Sequence, residues 1–261
     1  MTIWKHELRT GRVSLLIWFG AIAFLLAVCV LIYPEMAGQM QEMSETFSQM
    51  GSFSQAFGMD KLNFGEFIGF FGVECGNVLG LGGALYAALT GITALSKEEG
   101  EHTAEFLLTH PVSRQRVVAE KLCAVLTQII LLNIVTAAVT VLCIAAIGES
   151  PDMKTMLLLF LAYFIMQIEI AAVCFGISAF LGRGGIGIGL GLAAVFYFLN
   201  IIANLTEKAQ FLKYVTPFGY TESADIITEG CLEGKYLAVG ALFILAGAAA
   251  AFIRYMKKDI V

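Results

Sequence analysis

A chain of 261 residues that is 58% hydrophobic and only 14% charged, at a mean hydropathy of +0.80, is excluded from the water-soluble globules, because soluble domains carry roughly 25% charged residues. The formal net charge of −5 decides nothing further, since Asp and Glu contribute little to membrane topology. The apolar residues come in blocks of about 20 or more, each long enough to cross a hydrocarbon core of about 30 Å.

Taken in chain order, Met1–Arg12 is short, basic and carries Trp4, which predicts an interfacial helix feeding the first span. The first apolar block, Val13–Tyr33, exceeds the roughly 7–15 residues of a signal-peptide core, and no small-x-small site follows at Ile32-Tyr33-Pro34, so an uncleaved span is expected. Further blocks at Phe67–Leu95, Leu122–Ile147, Thr155–Leu181, Ile186–Asn204 and Tyr236–Ile253 predict six transmembrane helices in one all-α integral membrane domain, 1–261. With the N-terminus inside, the inner segments hold eleven Lys and Arg residues and the outer ones five. This asymmetry places both termini in the cytoplasm of a multi-pass cell-membrane protein.

The loop Pro34–Glu66 carries Met36, Met40, Met43, Phe47 and Met50 at alternating spacings of four and three, one apolar stripe of a helix. Either it lies on the bilayer or neighbouring helices, or it offers an adaptable surface to an apolar partner. In the second span Gly72, Gly76, Gly80, Ala84 and Ala88 recur at a spacing of four, the small-residue row that lets another helix approach closely. The glycines from Gly184 to Gly191 are read as packing, because a phosphate loop would need a Lys-Ser/Thr end after a strand. Leu205–Lys235, with Pro217 and clustered aromatics, predicts a re-entrant or interfacial helical pair between spans five and six.

Polar residues inside the spans are costly, about 2.5–3.5 kcal/mol for a carboxylate near a helix centre. Glu74 and Glu169 are the two carboxylates so placed. Their depths differ, at about 10 and 21 Å from the outer ends, so they are not expected to meet. Asn77, Asn200 or Asn204 are expected beside Glu74, and Asn133 or Gln167 beside Glu169. Either group is a hydrogen-bonded structural knot or a polar point on a substrate or proton path. Five of the six cysteines lie in or at the edges of spans and none forms a C-x-x-C pair, so they are read as small buried hydrophobes. His6, His102 and His110 lack metal-ligand spacing, and neither a metal site nor a nucleic-acid partner is expected.

Between spans two and three lies a polar island, Ser96–Lys121, with nine Asp, Glu, Lys or Arg residues in 26 positions. Glu98, Glu99, Glu101 and Glu105 load the first turns of a short predicted helix that also carries Phe106, Leu107 and Leu108. Pro111 ends it, and Ser113 is placed to cap a second helix from Arg114 into the third span.

The run E-E-G-E-H-T-A-E-F-L-L-T-H-P-V-S-R over Glu98–Arg114 resembles the cytoplasmic loop of ABC-2 type permeases, the membrane subunits of ABC exporters. The matching positions are Glu98, Glu99, Thr103, Glu105, Leu107, Leu108, Pro111, Val112, Ser113 and Arg114. The basic N-terminus, the six spans, the Pro217-Phe218 region and the tail from Tyr255 to Asp259 extend the likeness. Gly100-Glu101-His102 departs from it, since many relatives have glycine nearer the threonine. The resemblance implies a coupling helix that docks into a groove on a separate ATP-binding subunit. Phe106, Leu107 and Leu108 would fill the groove, with Glu105 and Arg114 at its rim. It also implies a second permease copy or a homologous permease. No Walker motif is present, so this chain is not expected to be an enzyme, and ATP and Mg would bind the partner. A different class, an ion- or proton-coupled carrier using Glu74 or Glu169, needs no ATPase and often shows an internal repeat; no convincing repeat is visible.

Overall fold

The computed structural model describes residues 2–49, 51–56, 61–100, 112–182 and 185–258. All regular structure among them is helical, with no strand. Six helices are long and apolar enough to cross a membrane. The helices are α1 (Thr2–Gln49), α2 (Ser52–Ala56), α3 (Phe67–Cys75), α4 (Gly82–Thr93), α5 (Lys97–Gly100), α6 (Arg114–Ile147), α7 (Met153–Ser178), α8 (Ile186–Leu205), α9 (Ser223–Glu229) and α10 (Gly234–Lys257).

Several boundaries differ from the sequence expectation. The basic N-terminus forms no separate element: α1 is one helix from Thr2 through the first span to Gln49, including Pro34. Its backbone accordingly takes in the Met-rich segment as far as Gln49, while Met50 and the side chains from Gln41 onward lie outside the described residues. The third span starts at Arg114 rather than Leu122, because the Ser113 hydroxyl accepts from Arg116 N and starts the helix there. The second span is interrupted by a π-helical stretch, Gly76–Leu81, between α3 and α4. Between spans five and six stand two 3₁₀ helices, Glu207–Tyr214 and Pro217–Tyr220, followed by α9.

Local chemistry explains two further ends. Asp152 caps α7 by accepting from Thr155 N and Thr155 Oγ1 at 3.0 and 2.7 Å. Gly148, at φ +75°, turns the chain out of α6, a conformation that glycine adopts without a Cβ penalty.

The second and fourth spans form the centre: 56% of their most apolar stretch is buried within the protein, against 17–28% for the other four. α4 packs along α7, α7 also along α10, α1 along α6, and α8 against α4. The predicted glycine row faces these neighbours. A Cβ on Gly76 or Gly80 would stand 3.0 or 3.1 Å from the Tyr163 side chain, and one on Gly72 would meet Ile227 and Ser223. Helix backbones also meet closely, Gly91 of α4 against the Ala171 carbonyl of α7 and Gly176 of α7 against Gly247 of α10. Outward faces of α1, α8 and α10 remain apolar, as at Phe24, Phe198 and Leu242, which suits contact with lipid.

Candidate functional site

The end of the bundle that holds the N-terminus carries the roots of the polar island. Thr103, Glu105, Phe106, Leu107, Leu108 and Pro111 lie outside the described residues, as does the side chain of Glu99. The strands of chain that enter and leave this segment are described.

Lys121, on the second turn of α6, is 1% exposed. Its ammonium reaches Glu98 of α5, Glu7 of α1 at 3.1 Å, and the Ala94 carbonyl at the end of the second span at 2.6 Å. An ammonium has three N–H donors, and these three acceptors use them all. One side chain therefore ties together the first helix, the exit of the second span and the start of the third. Burial pushes the Glu98 carboxyl above the ordinary carboxylate range; Lys121 pulls it down and the second carboxylate, Glu7, adds to the rise.

The neighbouring carboxylate, Glu120, accepts from Ile3 N and Trp4 N at 2.9 and 3.1 Å and from Arg116 Nε at 2.8 Å. These backbone N–H groups are first-turn donors of α1 that lack a helical acceptor, so Glu120 serves as a cap supplied from α6. Trp4 Nε1 adds a bond to Thr127 Oγ1 at 3.1 Å. On the other side, Arg114 donates to the carbonyls of Tyr255, Met256 and Lys258 at the end of α10, the last at 2.6 Å. Lys258 in turn donates to Leu181 O at 2.8 Å. The guanidinium expected at a docking rim is thus engaged with the protein's own C-terminal segment.

The polar residues of the spans gather differently from the expectation. Glu74 accepts from Cys29 Sγ at 3.5 Å, and not from an asparagine. Asn200 and Asn204 donate instead to Glu222, at 3.5 and 2.7 Å. Glu169, 2% exposed, accepts from Tyr220 Oη at 2.8 Å, in a space that Gly240 leaves open. Asn133 and Gln167 bond to each other at 2.7 Å rather than to Glu169. The reason is topological: Tyr220 of the 3₁₀ segment and Glu222, just before α9, reach Glu169 and the two asparagines and outcompete partners chosen by depth alone.

Around the π-helical stretch, Gly72, Gly76, Asn77 and Asn200 line one chamber of about 60 Å³ with Tyr163, Ser223 and Glu222. Ser223 Oγ donates to Gly72 O at 2.7 Å and lies 2.9 Å from Tyr163 Oη. Sequence reasoning missed Glu222, which sits outside every span; its signal was a charge two residues after the aromatic run Pro217–Tyr220. Burial raises the Glu222 carboxyl against the opposing pull of Asn204 and Lys213. Ionisation is therefore disfavoured in the folded protein, and this group weakens folding as pH rises through the ordinary carboxylate range toward its folded value. Glu222→Gln is expected to raise the melting temperature at neutral pH and to lose that advantage on acidification. A stability difference that does not change with pH would contradict the assignment.

A family model for ABC-2 family transporter protein matches residues 1–260. The chain belongs to the ABC-2 family of transporter proteins. No curated protein matches it. With six apolar helices and this family assignment, the protein is a multi-pass membrane permease subunit of an ABC transporter, and a subunit other than the ATPase. Membership of the family implies an ATP-binding partner subunit. It lends no support to a carrier centred on Glu74 or Glu169.

Proposed function

We propose that this ABC-2 permease is the membrane half of an exporter that moves a hydrophobic or amphipathic substrate outward. A cytoplasmic ATP-binding subunit holds ATP and Mg and docks on the coupling segment within Glu98–Arg114. Both termini and this segment face the cytoplasm of a cell-membrane protein. Two permease copies, or this chain with a homologous permease, enclose the path. Glu74, Asn77, Asn133, Glu169 and Asn200 are the polar points available to it.

The observation that carries this reading is the triad of Lys121 with Glu7 and Glu98. A docking segment transmits force only if its two roots are fixed to the helices that must move. Here the entering root, α5, and the leaving root, α6, are tied to each other and to α1. Arg114 extends the tie to α10. Closure of the nucleotide subunits would then shift four spans together rather than flex a loop.

The test is co-purification. Leu107→Asp combined with Leu108→Asp puts two carboxylates into an apolar groove, where unpaired charge is strongly disfavoured. The double variant is expected to insert normally and to lose the ATP-binding subunit. A complex that survives intact would refute the docking assignment.

A further inference from the structure

One face of α1 carries a charge pattern that no contact inside the protein absorbs. Lys5, Arg9, Arg12 and Leu16 follow one another at spacings of four, three and four, so they form one stripe along the helix. All four are exposed. Beyond Arg12 the same side turns apolar, through Val13, Leu16 and Phe24 at 58%, 56% and 66% exposure. Because α1 is one helix from Thr2 to Gln49, the cations continue the outward side of the first span rather than stand on a separate element.

The charges on this face are unopposed. Glu7 is the only acid between Thr2 and Tyr33, and it stands on the opposite side of α1, where it holds Lys121 at 3.1 Å. Glu120, the only acid of α6, is turned onto Ile3 N, Trp4 N and Arg116 Nε. Among the described residues, Lys5, Arg9 and Arg12 make no ion pair and no side-chain hydrogen bond. Arg12 immediately precedes the apolar block, which places the stripe where hydrocarbon gives way to head groups. Arg9 and Arg12 are about 4.5 Å apart along the helix axis, close enough to take one phosphate between two guanidinium forks.

We infer that this face of α1 binds an anionic phospholipid, with its phosphate on Arg9 and Arg12, Lys5 adding charge, and its acyl chains along Val13, Leu16 and Phe24. A basic cluster directly beside a span is the pattern that attracts anionic lipid. An acidic surface on a soluble partner would match the charges but not their apolar continuation. The surface requires only that α1 crosses a bilayer, so it does not depend on the exporter reading. Where that reading holds, the lipid bears on the side of α1 opposite the Glu7–Lys121 tie, and through that tie on the roots of the coupling segment.

The experiment titrates the purified full chain in nonionic detergent with short-chain phosphatidylglycerol, against phosphatidylcholine of equal chain length, and reads lipid-bound protein by native mass spectrometry. Phosphatidylglycerol is expected to bind saturably and about tenfold or more tightly than phosphatidylcholine, since each basic residue near the head groups contributes. Arg9→Gln and Arg12→Gln should each weaken it about fivefold, the equivalent of about 1 kcal/mol per charge, and leave phosphatidylcholine binding unchanged. Lys257→Gln, which removes an exposed cation from the last turn of α10 at the same end of the bundle, should change neither. Equal weakening by that control would mean diffuse attraction and would overturn the site. Equal affinity for the two lipids, or selectivity that survives Arg9→Gln combined with Arg12→Gln, would overturn it as well. If the double variant is not monodisperse, each single variant carries the same reading. Loss of the ATP-binding subunit from the double variant, with lipid selectivity intact, would assign the face to that partner and end the lipid proposal.

Discussion

Lys121→Ala is expected to lose roughly 3–5 kcal/mol of stability, the usual cost of stripping one partner from a buried ion pair. The ammonium is almost fully buried and answers two carboxylates and a carbonyl. Removing it leaves Glu7 and Glu98 facing each other in a poorly solvated place. The defect should depend on pH. Burial holds the Glu98 carboxyl above its ordinary value, and losing Lys121 raises it further. Ionised Glu98 therefore weakens the variant increasingly as pH rises above the ordinary carboxylate range, and acidification relieves it. Thermal unfolding in detergent across pH measures both effects. The triple variant Glu7→Gln, Glu98→Gln, Lys121→Met should recover most of the loss, since replacing a whole buried ion cluster by neutral groups is often harmless. Its recovery of stability without recovery of ATPase coupling would separate the mechanical role of the triad from its contribution to folding. An unchanged melting curve for Lys121→Ala would show that the triad holds nothing together.

Gly91→Ala is expected to destabilise by about 1–3 kcal/mol, the range for forcing extra methyl groups into a packed interior. The added Cβ would fall on the Ala171 carbonyl of α7 and 3.0 Å from the Cys174 Cβ, so backbone rather than a flexible side chain must yield. Intrinsic helix propensity acts in the opposite direction by up to about 1 kcal/mol, which makes the sign informative. Gly187 on α8 supplies the control. A Cβ there meets nothing within 4 Å, so Gly187→Ala should be neutral or slightly stabilising. Equal melting temperatures for the two variants would mean that the α4 to α7 contact is looser than its geometry.

How far the fold was legible follows from what each signal encodes. Apolar run length identified all six spans, because the bilayer imposes a minimum length on any crossing helix. The Ser113 cap was readable because capping is local chemistry, and the Gly72, Gly76, Gly80 row was readable as a close-packing face. The partner of that face, Tyr163 with Ser223 and Ile227, was not. The π-helical stretch was not legible: it adds one residue to a turn, yet the small-residue spacing of four from Gly72 through Ala84 runs across it without a break. The N-terminus was misjudged as a separate element because its charges resemble an interfacial helix. Glu120 instead caps α1 from 116 residues away, a bond invisible to any local window.

The polar core shows the same division most sharply. Depth along a helix suggested partners for Glu74 and Glu169, yet four of those five bond elsewhere, Asn133 with Gln167 and Asn200 and Asn204 with Glu222. Depth is one coordinate, and a hydrogen bond needs three. The sequence by itself determined that the chain lives in a bilayer, how many times it crosses, and which segment has the composition to meet a soluble partner. Those properties depend on transfer free energies summed along the chain. Only the tertiary structure decided that Lys121 binds the roots of that segment to the first helix, because whether a buried charge has two partners or none is fixed by helices far apart in sequence meeting at one point.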